Sequence, residues 1–104
     1  MDKAKKARLE AAGWTIGTAE ELLGLTAEEA RYVELRLRLS DAVRQVRKEN
    51  DLTQVQLANL LGSSQSRVAK VEAADTSVSL DLLIRSLLAM GASNRELARY
   101  IAGE

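Results

Sequence analysis

Apolar residues recur at three- and four-residue intervals through most of this chain, the spacing that places them on one face of an α-helix. Leu35, Leu39, Ala42, Val43 and Val46 make one such stripe. Thr26 and Glu29 stand before it as a capping box, so a helix is predicted from about Ala27 to about Asn50. Thr53 and Gln56 form a second box, opening a short helix in which Leu57, Leu60 and Leu61 share a face and the small Ala58 leaves room for a second helix. Gly62 supplies a residue that tolerates a left-handed turn. Ser64 then caps another short helix whose Val68 and Val71 face inward at i, i+3 spacing. Ser79, followed by Asp81 near the helix dipole's positive end, opens a helix from about Leu80 to Met90 that Gly91 ends. Ser93 and Glu96 box a last helix reaching about Ala102.

One signal competes with this reading. Residues 33–39 read VELRLRL, a strict alternation of the strand type. The capped start and the strong helix formers on either side favour helix, and no partner strand is visible elsewhere. As a helix, the segment gains a second apolar line of Ala30, Val33 and Leu37 that the domain core does not need.

The first 25 residues are patterned more weakly. Residues 3–12 are charged and alanine-rich, with Leu9 as the one sizeable apolar side chain, so they are expected to fray in water. Gly13 ends them, and Trp14-Thr15-Ile16 is a short extended piece holding the sole Trp. Thr18 and Glu21 repeat the capping box and start a single-turn helix through Leu22 and Leu23, which Gly24 stops.

Composition narrows the fold. The chain of 104 residues is 46% apolar but only 3% aromatic, with no Phe and no Pro. A core of Leu, Val, Ile and Ala suits packed helices, so the fold class is all-α. The expected architecture is an all-helical domain over 35–104. Residues 1–34 form an N-terminal extension of short helix and extended structure that merges into the first long helix. There is no Cys and no His. That removes disulfides, the usual zinc ligands and the usual nucleophile–base pairs. Catalytic residues, metal sites and cofactors are therefore not expected. No apolar run is long enough to span a membrane and the start lacks a secretion signal, so a cytoplasmic location is expected.

The helices around Gly62 make a helix-turn-helix unit. Gln65, Ser66, Arg67, Ala69 and Lys70 take the outward positions of its second helix, offering amide, hydroxyl and cationic tips to a duplex groove. Gln54 lies at a helix start, where anions are favoured. Net charge is zero. Residues 1–10 carry +2, residues 18–34 carry −4 and residues 36–104 carry +2. A domain this weakly basic needs a dimer to bind DNA usefully.

This segment resembles the Xre, or Cro/repressor-type, helix-turn-helix family of phage and bacterial regulators. The resemblance rests on Thr53-Gln54, Leu57-Ala58, Gly62, Ser64-Gln65, Val68 and Val71-Glu72, and the family's five-helix domain fits from Leu39 to about Ala102. It implies that Gln54 contacts a phosphate, that Gln65, Ser66 and Lys70 face base edges, and that Arg67 lies close to bases or backbone. Ser64 belongs to the same DNA-binding set. Arg47 and Glu72 match a family ion pair tying the first helix of the domain to the recognition helix. Where the family often has a glycine after the position of Glu72, this chain reads Ala73-Ala74-Asp75, so the exit from that helix is expected to run differently.

Two further features bear on partners. The helix from Leu80 is apolar on nearly every side, and with Ile84, Leu88, Leu97, Tyr100 and Ile101 it points to a homodimer seam, unless the helix is simply central to its own domain. A two-fold dimer would read operator half-sites about 34 Å apart on double-stranded DNA. The flanks also resemble HigA-type antitoxins of toxin–antitoxin modules, which implies a RelE/HigB-like ribonuclease toxin as partner. Trp14, Ile16, Leu22, Leu23 and Leu25 would anchor that partner, and the acidic 18–34 stretch would suit a cationic RNA-binding surface. The extension could instead fold back to cover residues such as Leu37. Two alternatives to an autoregulating antitoxin stay open: a stand-alone repressor without a toxin, and a protein inhibitor whose DNA-binding domain is vestigial.

Overall fold

The computed structural model describes residues 24–104. Among them stand five helices and no strand: α1 (Ala27–Glu49), α2 (Gln54–Leu61), α3 (Gln65–Glu72), α4 (Leu80–Ala89) and α5 (Asn94–Ala102). The expected all-α architecture holds. The helix over 3–12, the extended piece at Trp14 and the capping box at Thr18 lie outside the described residues. Residues 35–104 form one compact unit.

Local chemistry places the helix starts. Thr53 and Gln56 exchange both bonds of a capping box, with Gln56 N donating to Thr53 Oγ1 at 3.1 Å and Thr53 N to Gln56 Oε1 at 2.8 Å. Ser93 and Glu96 do the same for α5, as do Thr26 and Glu29 for α1. Ser64 and Ser79 cap α3 and α4 through single bonds. Gly62 closes α2 with φ 63° and ψ 36°.

The core gathers Leu39, Ala42, Val43 and Val46 from α1, Leu57 and Ala58 from α2, and Val68 and Val71 from α3, with Val78, Leu83 and Leu87 completing it. α2 packs against both α3 and α4. The α1 stripe predicted from periodicity is this buried set, with Leu35 packed at its edge.

Three expectations need correction or refinement. Leu60 does not share the buried face with Leu57 and Leu61; it is 55% exposed. At 3.6 residues per turn, the face centred on Leu57, Ala58 and Leu61 leaves Leu60 roughly 100° away. The VELRLRL alternation is helical throughout. Its arginines explain the pattern: Arg36 and Arg38 are half-buried because they reach backbone carbonyls elsewhere in the domain. The exit from α3 also does what a glycine would do. Ala74 adopts φ 55°, and Asp75 N donates to Lys70 O at 3.1 Å, closing the helix in a Schellman motif without glycine. Asp51 closes α1 the same way, again with φ 55°.

Candidate nucleic-acid interface

α3 is short and two-sided because its valines and its polar residues alternate at helical spacing. Val68 and Val71 are each 1% exposed, while Gln65, Ser66, Arg67 and Lys70 are exposed together on the opposite side. Ala69 is half-buried between the two faces. Ser64 is exposed, but its hydroxyl is already engaged: it accepts from Arg67 N at 3.3 Å and shares a hydrogen bond with Ser66 Oγ at 3.1 Å. The exposed row therefore combines amide, hydroxyl, guanidinium and ammonium groups, the set that reads base edges and grips phosphates.

Behind this row runs a chain of polar contacts. Arg47 of α1 grips Glu72 with two donors, Nε to Oε2 and Nη2 to Oε1, the latter at 3.0 Å. Its Nη1 donates to Leu52 O at 2.9 Å, pinning the α1–α2 turn. The bond to Glu72 raises the Arg47 pKa, against the opposing effect of burial, so the guanidinium is charged at every working pH. Gln54, the first residue of α2, donates from Nε2 to Glu72 Oε1 at 3.3 Å. Gln65 Nε2 in turn donates to Gln54 Oε1 at 3.1 Å. The structure thus brings together Arg47, Glu72, Gln54 and Gln65, and turns the Gln54 side chain toward its neighbours in the domain.

The loop after α3 is held from below. Arg36 donates from Nη2 to Asp75 O at 3.0 Å and to Val78 O. Asp75 Oδ1 accepts from both Ser77 N at 2.8 Å and Ser77 Oγ at 2.6 Å, and these bonds hold the Asp75 carboxyl below its ordinary pKa. Arg38 donates from Nη1 to Ile101 O at 2.9 Å, satisfying a carbonyl in the last turn of α5. Sequence reasoning missed both arginines as structural latches. The signal was their place at the polar positions of the VELRLRL run, but their acceptors lie 39 to 63 residues away.

The residues expected at a dimer seam divide in two. Ile84, Leu97 and Tyr100 are half-buried against the domain's own core, whereas Leu88 and Ile101 are 48% and 45% exposed. Of the expected partner-binding set, Trp14, Ile16, Leu22 and Leu23 lie outside the described residues, and Leu25 is half-buried. Among the described residues no helix is long and apolar enough to cross a membrane, and no cluster of acidic side chains could hold a metal ion.

Comparison with known proteins agrees with the geometry at one level. A family profile described as helix-turn-helix matches residues 43–97, from the middle of α1 into α5. No curated protein and no solved structure matches the chain.

Proposed function

Because the chain belongs to the helix-turn-helix family, a family of DNA-binding transcription regulators, we propose that it represses transcription as a homodimer on a two-fold operator. The reading is carried by the exposed row Gln65, Ser66, Arg67 and Lys70 on a helix whose other face is locked in the core. Gln54 at the start of α2 flanks that row and is hydrogen-bonded to it. The low net charge supports the dimer, since one weakly basic copy releases few counterions from DNA. Leu88 and Ile101, exposed beside the half-buried Ile84, Leu97 and Tyr100, supply apolar surface for that contact.

The finer reading is that the regulator is the antitoxin of a toxin–antitoxin module, autoregulating its operon and neutralising a RelE/HigB-like ribonuclease. What supports it is the charge of residues 18–34, five glutamates against one arginine, set among the apolar anchors Trp14, Ile16, Leu22, Leu23 and Leu25. An acidic, anchor-bearing strip complements a cationic RNA-binding surface. A stand-alone repressor would have no use for it.

Two measurements test the levels separately. In mobility-shift titrations on the gene's own promoter fragment, Gln65→Ala should cost roughly 1–3 kcal/mol of discrimination over random duplex. Equal weakening on both duplexes would sink the sequence-reading role. Co-expression with the neighbouring reading frame tests the antitoxin role, which fails if no small basic protein co-purifies.

A further inference from the structure

We infer that Asp75 is a built-in counter-charge to the DNA-facing row: fixed beside Lys70, its carboxylate competes with duplex phosphate for that ammonium and holds down the affinity of each copy for any DNA. The inference rests on the DNA-binding reading above.

The backbone puts the carboxylate there. The left-handed turn at Ala74 swings the chain back over the end of α3, where Asp75 N donates to Lys70 O at 3.1 Å. Asp75 is thereby set against the last residue of the exposed row. Arg36 grips the same loop by two carbonyls, Asp75 O at 3.0 Å and Val78 O. Ser77 fixes the side chain itself, its N–H and its hydroxyl both donating to Asp75 Oδ1, at 2.8 and 2.6 Å. These Ser77 bonds hold the carboxyl below its ordinary pKa, and the Lys70 charge adds to them. The group is an anion wherever the protein works.

A surface ion pair is worth little when two free side chains must be ordered to make it. Here the acid is already held, and only the lysine has to be placed. Exposed hydroxyls and backbone N–H groups beside a reading helix commonly grip phosphate oxygens. Those of Ser77 are spent on an anion that the chain itself supplies. Residues 36–104 carry only +2, so shielding one lysine removes a large share of what can hold a duplex. Binding then leans on base contacts and on a second copy.

The plainer role for Asp75 is to close the turn, which aspartate does well. Charge separates the two roles. Asparagine closes the same turn with a neutral oxygen, still able to accept from Ser77.

The test is fluorescence anisotropy of the full-length protein on a random-sequence duplex, from about 50 to about 200 mM salt, with thermal denaturation in parallel. Asp75→Asn should bind roughly three- to fivefold more tightly at the low-salt end. Its salt dependence should steepen by about one counterion per bound copy. Lys70→Met should cost more in the Asp75→Asn background than in wild type, because the lysine there is free for phosphate. A role confined to the turn leaves Asp75→Asn with the wild-type affinity and slope, and that result overturns the inference. Equal losses from Lys70→Met in both backgrounds overturn it too. Should Asp75→Asn melt early, Asp75→Ser, another neutral turn former, takes its place. If wild type and variant alike bind no duplex at low salt, the DNA-binding reading itself falls, an outcome distinct from two matching curves.

Discussion

Arg47 in α1 and Glu72 at the end of α3 stand 25 residues apart and meet through two parallel hydrogen bonds, with side chains 13% and 6% exposed. Removing one partner strands a nearly buried charge. Arg47→Met or Glu72→Leu alone should each cost about 2–3 kcal/mol, somewhat less than breaking a fully buried pair. Arg47→Met combined with Glu72→Leu should cost less than either single change. Urea denaturation of the three variants checks this, and additive losses would show that the pair is not coupled.

Ala74 carries a side chain in a conformation that suits glycine. The left-handed region costs a non-glycine residue about 1–2 kcal/mol. Glycine's greater freedom in the unfolded chain offsets about 0.4–1 kcal/mol of that. Ala74→Gly should therefore stabilise the domain by about 0.5–1 kcal/mol. Asp51→Gly, at the same φ of 55°, should gain less because aspartate tolerates the region better. Equilibrium melts that rank the two in the opposite order would refute this account of the α3 exit.

Two buried serines offer a contrast. Ser86 Oγ donates to Leu82 O at 2.7 Å, while Ser40 Oγ has no hydrogen-bond partner among the described residues. A desolvated hydroxyl left unsatisfied is a net cost. Ser40→Ala should raise stability by about 1 kcal/mol, and Ser86→Ala should be neutral or cost up to about 1 kcal/mol. Parallel chemical denaturation decides the matter, and a destabilised Ser40→Ala would mean the hydroxyl is satisfied after all.

Acid should weaken the domain through its caps and turns. The Ser93 backbone bond holds Glu96 below its ordinary value of 4.5, and the Ser77 hydroxyl holds Asp75 below 3.8. A folded-state pKa below the unfolded one stabilises the fold at pH above the unfolded value, and that contribution disappears as pH falls through the folded value. Stability should thus drop as pH is lowered below about 4.5. Glu96→Gln keeps a residue able to complete the capping box but cannot titrate, so it should lose less between pH 6 and 3. An identical acid profile for wild type and Glu96→Gln would rule Glu96 out as a contributor.

Much of this molecule is readable without coordinates because the relevant physics is local. The capping boxes at Thr26, Thr53 and Ser93, and the turn at Gly62, involve residues three or four apart, so their partners are visible in the string itself. The α1 stripe and the inward Val68 and Val71 follow from helical period alone, and with them the exposed row from Gln65 to Lys70. Contacts across the fold had no such signature. That Leu60 points outward, that Arg36 and Arg38 latch distant carbonyls, and that Gln54 faces Glu72 and Gln65 all depend on how α1, α2, α3, α5 and the loop after α3 are set together. Periodicity states which side of a helix is apolar. Only packing states what the polar side finds when it reaches across, because that partner is chosen by distance in space and not by spacing along the chain.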